Sequence, residues 1–232
     1  MRIRPSAIFL VGLTLVVCVR AGASESVCYG TSSKGHLKGA VRIPEAGVNF
    51  GPYSTFGVTL GRTYVHSRVA ATIADAYAAL AKSTPDKRYV YGESGWSGGG
   101  RIKPHRTHQN GLAVDFFVPV LDEAGRSVDL PTGATNKFGY GIEFDGHARY
   151  EGLVIDFEAI ADHLYALHNA ARENGVGIQR VIFEKAYIPR LYATQRGDFV
   201  KASIPFMQGQ PWVRHDEHYH VDFAVPCKKD DA

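Results

Sequence analysis

The sequence predicts a single α+β domain, a small and mainly antiparallel sheet with helices packed on it, and three observations predict that class. Apolar residues recur at helical spacing in two separated windows, Val69 to Leu80 and Phe157 to Ala171. Short alternating apolar stretches lie between and after those windows, and no internal repeat, linker or low-complexity run divides the chain. With 232 residues, 45% hydrophobic and 21% charged, the chain is long enough for one domain with a core and shows no sign of disorder or coiled coil.

Residues 1–23 have the pattern of a cleaved secretory signal. Arg2 and Arg4 give a basic start, Ile8 to Val19 an apolar run, and Ala21-Gly22-Ala23 a small-residue cleavage site before Ser24. The run is too short to span a bilayer, and no other stretch approaches that length. Lipid attachment at Cys18 ranks below simple secretion, because Val17 is a bulky neighbour and the cleavage site follows just downstream. The mature domain is expected over 24–232, in the periplasm. Loss of the leader takes away Arg2, Arg4 and Arg20 and no acid, so the 26 basic residues fall to 23 against 23 acidic ones. The apparent net charge of +3 vanishes, and with it any argument for nucleic acid. Cys28 and Cys227 remain, and an exported chain with two cysteines is expected to pair them.

In chain order, Ser24 to Tyr64 is rich in Gly, Ser, Tyr and Pro and is expected to be an irregular wrap. Val69, Ile73, Ala76, Tyr77 and Leu80 predict an amphipathic helix from about His66 to Lys82, stopped by Thr84-Pro85. Arg88 to Glu93 alternates as a strand and runs into the glycine-rich Ser94 to Gly100; a strand from Leu112 carries Asp115. Leu121 to Leu153 is expected to be a long loop and, because such loops in compact domains are usually functional, a wall or lid of a substrate groove. Asp156 caps a second helix with Phe157, Ile160, Leu164, Leu167 and Ala171 on its buried stripe, ended by Asn174-Gly175. Gln179 to Phe183 is a further strand, Ala186 to Thr194 a short helix, and the last strand begins at His218 and ends before Pro226.

The chemistry gathers in two distant segments. The first is His105-Arg106-Thr107-His108 with Asp115 downstream, behind Gly98-Gly99-Gly100; the second is His215-Asp216-Glu217-His218-Tyr219-His220. A catalytic zinc takes three protein ligands from His, Asp, Glu or Cys and keeps one position open, and His108, Asp115 and His220 can supply that set. On a strand, Asp115 shares a face with Ala113 and Phe117, where a carboxylate is costly unless paired or metal-bound. His218 and His220, two apart, share a face opposite Tyr219 and Val221, so one can hold metal while the other faces the reacting group. His36, His66, His147, His163 and His168 stand alone and are expected to be exposed, or satisfied at the edge of a helix stripe. Gly98 to Gly100 is a turn and not a phosphate cradle, since no Gly-Lys-Ser/Thr follows.

These residues carry a resemblance. His108-x6-Asp115 with a later His218-x-His220 resembles the signature of the lysostaphin, D-Ala-D-Ala metallopeptidase and hedgehog superfamily. The wider matches, Gly98-Gly99-Gly100-Arg101 before His105-x-x-His108-Gln109-x-Gly111-Leu112-x-Val114-Asp115, and Trp212-x-x-His215-x-x-His218-x-His220-Val221, resemble the penicillin-insensitive murein endopeptidases. The resemblance implies a hedgehog/D-Ala-D-Ala-peptidase-like domain and a zinc D,D-endopeptidase acting on peptide stems of bacterial peptidoglycan. It carries over His108, Asp115 and His220 as ligands of one zinc per chain, with His105, His215 and His218 lining the catalytic site. Glu217-x-x-His220 also resembles the D,D-carboxypeptidase and dipeptidase branch, in which that glutamate is the base, so His218 and Glu217 both remain candidates. A carboxypeptidase needs a fixed cation for the substrate's terminal carboxylate, from Arg101 or Arg106. A third class is a non-catalytic zinc domain that binds cell wall.

Overall fold

The structure, a computed structural model, describes residues 24–230; the expected signal segment, 1–23, lies outside them. Its organising element is a five-stranded sheet built from β1 (Phe50–Pro52), β2 (Tyr89–Tyr91), β3 (Ala113–Phe117), β4 (Gly177–Ile182) and β5 (His218–Ala224). They lie in the order β4-β5-β3-β2-β1, antiparallel throughout except for the parallel pair β1 and β2. The predicted class, α+β with a small mainly antiparallel sheet, is the one observed.

The two periodic windows form α1 (Ser67–Ser83) and α2 (Phe157–Glu173), which pack on each other and on one face of the sheet. His66 caps α1 by accepting from the Arg68 amide with Nδ1, and Asp156 caps α2 by accepting from the Ala159 amide. Each cap satisfies a backbone donor that the first helical turn leaves free. Val69, Ile73, Ala76, Tyr77 and Leu80 of α1 and Ile160, Leu164, Leu167 and Ala171 of α2 are buried, as their spacing predicts. His163 departs from expectation. It is 1% exposed, inside the core, with Nδ1 on the Tyr219 hydroxyl and its ring stacked on Tyr77. Burial disfavours its charged form and holds its pKa down to about 3.

Three parts of the chain are more ordered than the sequence suggests. Ser24 to Tyr64 is not an irregular wrap: it holds the hairpin Val27–Gly30 with Gly35–Lys38, a short helix at Thr55–Thr59, and strand β1 of the main sheet. Its strands have two to four residues, too few to show a period of two in the sequence. The expected loop from Leu121 to Leu153 is instead a small antiparallel sheet, Arg149–Tyr150, Leu153–Ile155, Val120–Leu121 and Ser127–Val128, with a 3-10 segment at Ala134–Gly139. A helix at Gly197–Ser203, absent from the sequence reading, packs on α2.

Cys28 and Cys227 are bonded, with Cα atoms 4.8 Å apart and a sequence separation of 199. The tail after β5 joins the N-terminal hairpin there: the Gly30 amide donates to the Lys228 carbonyl and the Lys228 amide to the Cys28 carbonyl.

Candidate active site

The face of the sheet away from α1 and α2 carries the polar residues. β5 and β3 are in register with His218 opposite Phe117, His220 opposite Asp115 and Asp222 opposite Ala113, so these side chains share one face. Tyr219 and Val221, opposite Phe116 and Val114, point to the helices and the core. The alternation expected for both segments is therefore observed, and it delivers an aspartate and two histidines from distant parts of the chain to one spot.

His108 reaches the same spot from a loop. Its backbone is left-handed, φ 68°, an uncommon conformation for a residue with a side chain. The glycine-rich turn supports it: the Gly100 amide donates to the Gln109 carbonyl, and Gly99, with φ +70°, lies so close that a Cβ there would meet the same carbonyl at 2.3 Å. His108 Nδ1 lies 3.2 Å from the Ser94 carbonyl, which fixes the ring and turns Nε2 toward Asp115 Oδ1, 3.3 Å away. That Nε2 is buried and has no hydrogen-bond partner among the described residues.

Asp115 is the hub. Its Oδ1 lies 2.9 Å from His220 Nδ1 and 3.9 Å from His218 Nε2, and its Oδ2 accepts from the Tyr140 hydroxyl at 3.0 Å and lies 3.7 Å from His105 Nδ1. Burial alone would raise its carboxyl pKa, but His108, His218 and His220 around it hold it well below the usual range. The strand beside it must pass very near, and glycine at position 92 permits this: a Cβ there would sit 2.8 Å from the Tyr140 hydroxyl and 3.0 Å from the Asp115 Cβ.

The buried histidine nitrogen and the carboxylate it faces fit a metal ion. An unpaired imidazole nitrogen in a dry site is costly unless something accepts its lone pair. His105, His108 and Asp115 each offer one ligand atom, all within 4.8 Å of one another, and His220 Nδ1 stands at the Asp115 oxygen that His108 also faces. The sequence-derived set, His108, Asp115 and His220, is thus brought together, and His105 joins it at the rim.

Around this cluster runs a groove of about 610 Å³, lined among others by Glu93, Arg106, Lys137, Tyr140, Trp212 and His215, with Glu217 and His218 at its floor. The Leu121 to Leu153 region supplies one wall through Lys137, Tyr140 and Glu143, the role expected of it. Glu217 does not point at Asp115; its Oε1 lies 2.9 Å from His218 Nδ1. Burial alone would lower the His218 pKa, but the Glu217 and Asp115 charges raise it. His215 is buried, its Nδ1 bound to the Val213 carbonyl at 2.9 Å, and burial together with His218 lowers its pKa to about 3. Arg106 lines the groove and stands over the Trp212 ring, whereas Arg101 does not line it.

Sequence reasoning missed four neighbours. Glu93 holds His105 Nε2 at 2.6 Å and is itself gripped by two Arg62 nitrogens at 2.6 and 2.7 Å. Burial alone would raise the Glu93 carboxyl, but its bonds to His105 and Arg62 hold it at about 2. Tyr140 binds Asp115, and Asp222 Oδ1 lies 3.0 Å from His220 Nε2. Two faint signals existed: Glu93 closes an otherwise apolar strand, and Asp222 continues the alternation of His218 and His220.

The molecule is an α+β chain that gathers histidines and an aspartate able to hold a metal ion on the floor of an open groove. The family model for penicillin-insensitive murein endopeptidase matches residues 28–232. The chain belongs to that family of murein-cleaving peptidases. No curated protein matches the sequence. Among the described residues no helix is long and apolar enough to cross a membrane.

Proposed function

We propose that this chain is a zinc-dependent D,D-endopeptidase that hydrolyses peptide cross-links of bacterial peptidoglycan, exported by cleavage of a signal at 1–23 and active in the periplasm as the domain 24–232. One zinc per chain would be held by His108, Asp115 and His220. The observation that carries this reading is the buried, unpartnered His108 Nε2 aimed at Asp115 on the floor of the groove, in a chain of this family. The disulfide supports export, because such bonds persist in oxidising compartments.

Bound zinc supplies a Lewis acid that polarises the scissile carbonyl and acidifies water. The remaining work falls to the chain's own side chains. His218 is the general base: Glu217 on Nδ1 fixes the ring and stabilises its charged form, leaving Nε2 on the cluster side to take a proton. Glu217 therefore acts through His218 and not on substrate. His215 is neutral at working pH, and with its Nδ1 proton given to the Val213 carbonyl its Nε2 is an acceptor, suited to orient water. His105, pinned by Glu93, closes the same side of the groove.

The carboxypeptidase or dipeptidase alternative keeps one supporting observation, the Arg106 guanidinium beside the groove as a cation for a terminal carboxylate. A non-catalytic cell-wall-binding role is disfavoured by the open groove with His215 and His218 beside the ligand set, since a structural zinc site closes its fourth position with protein. Digestion of purified muropeptides with the 24–232 protein, read by mass, tests the choice. Cross-linked dimers converted to monomers support the endopeptidase; release of free D-alanine alone supports the carboxypeptidase. Metal analysis should find about one zinc per chain, and none bound after zinc is offered would overturn the metal assignment.

A further inference from the structure

On β5 the residue two beyond His220 is Asp222, 2% exposed and on the same face. Its Oδ1 lies 3.0 Å from His220 Nε2, while its Oδ2 accepts from the Arg180 guanidinium, at 2.9 Å from Nε and again from a terminal nitrogen. Arg180 comes from β4, and it comes from the right face only because that strand is irregular. Ile178 pairs with Phe223, yet Arg180 pairs with Asp222, so one extra residue, Gln179, is inserted between them. Without that bulge Gln179 would stand opposite Asp222 and Arg180 would oppose Val221, on the other face. Bulges near functional sites often serve to re-aim a side chain in this way.

We propose that Asp222 and Arg180 form a positioning pair for metal binding: Asp222 holds His220 Nε2 and so presents His220 Nδ1 beside Asp115, and Arg180 holds Asp222. The inference rests on the zinc reading above. A histidine that ligates through Nδ1 carries its proton on Nε2, and Asp222 is the acceptor for that proton, which selects both the tautomer and the ring orientation. A buried carboxylate with a single neutral partner would be costly, and Arg180 supplies the compensating charge. Arg180 can do this without being sealed in. Its side chain is 40% exposed and borders a separate groove of about 760 Å³ at the far end of β5, lined also by Asn110 and Cys227. The chain Arg180, Asp222, His220, Asp115 thus connects that second groove to the metal cluster.

The test is zinc affinity of the apo 24–232 protein, measured by competition with a chromogenic chelator, together with the visible absorption of the cobalt-substituted protein. Asp222→Ala should weaken zinc binding by roughly 10- to 100-fold and shift the cobalt bands, while Asp222→Asn, which keeps an acceptor, should lose only a few-fold. Arg180→Gln should also lose a few-fold, and adding it to Asp222→Ala should cost nothing further. Asp222→Asn keeps side-chain size and Arg180→Gln truncates a side chain that is 40% exposed, so both are read even where Asp222→Ala does not fold. Folded variants of both residues with wild-type zinc affinity and unchanged cobalt spectra would overturn the pairing while leaving the zinc site intact. A wild-type protein that binds no metal would overturn both readings.

Discussion

At the residue scale, the arrangement around His218 bears on the proposed choice between two candidate bases, His218 and Glu217. Glu217 spends its carboxylate on His218 Nδ1 at 2.9 Å, so its removal should impair the histidine without removing the proton acceptor. His218→Ala should lower turnover by roughly a hundredfold or more with zinc retained, the usual size for losing a general base, and Glu217→Gln should cost much less. His220→Ala should lose the metal instead. Kinetics on muropeptides with parallel metal analysis check all three, and a dead Glu217→Gln enzyme beside an active His218→Ala one would reverse the assignment. Asp115, His218 and His220 were legible in the sequence because their residue types are rare on apolar strands and strand alternation fixes their faces, whereas His108, on a loop, was legible only through its spacing from Asp115. Glu93, Tyr140 and Asp222 were not, since each is a single polar residue whose link to the site is made only by folding. The bonds to His105 and to the Arg62 fork hold the Glu93 carboxyl well below the usual carboxylate range and so favour its ionised form.

At the element scale, the site depends on how closely β2 and its continuation pass Asp115. Gly92 makes that approach possible, and the Gly92 amide donates to the Asp115 carbonyl at 2.6 Å. Gly92→Ala would put a methyl 2.8 Å from the Tyr140 hydroxyl and 3.0 Å from the Asp115 Cβ, on neighbours that are themselves bonded to each other. Such overpacking costs about 1–3 kcal/mol, and here the displaced groups belong to the cluster. Denaturant unfolding should show that loss, and zinc titration should show weaker binding in the folded variant; unchanged values for both would mean that the strand yields freely. Long elements were legible for a plain reason. A helix of 17 residues such as α1 or α2 repeats its apolar spacing several times, whereas Arg149–Tyr150 or Val120–Leu121 offers two residues and no period. The long loop expected over Leu121 to Leu153 was a failure of that kind, and its role as a groove wall survived because it rested on length alone.

At the scale of the whole molecule, the disulfide joins the chain ends behind the histidine loop. The hairpin that Cys28 belongs to holds that loop directly: the Leu37 amide donates to the Gly98 carbonyl, the Gln109 amide to the Ser32 carbonyl, and the Asn110 side-chain amide reaches Cys227 Sγ at 3.6 Å. The bridge therefore does two separable things. It shortens the unfolded ensemble, worth roughly 5 kcal/mol for a loop of this length in the chain-entropy model, and it clamps the segment from Gly98 to Asn110 that presents His105 and His108. The double variant Cys28→Ser, Cys227→Ser should lower the unfolding free energy by up to that amount. If the clamp matters as well, amide hydrogen exchange across Gly98 to Asn110 should quicken more than in α1 and α2 at equal global stability, and zinc affinity should fall. Uniform acceleration across the molecule would assign the bridge to the unfolded state alone, and an unchanged unfolding midpoint would deny it either role.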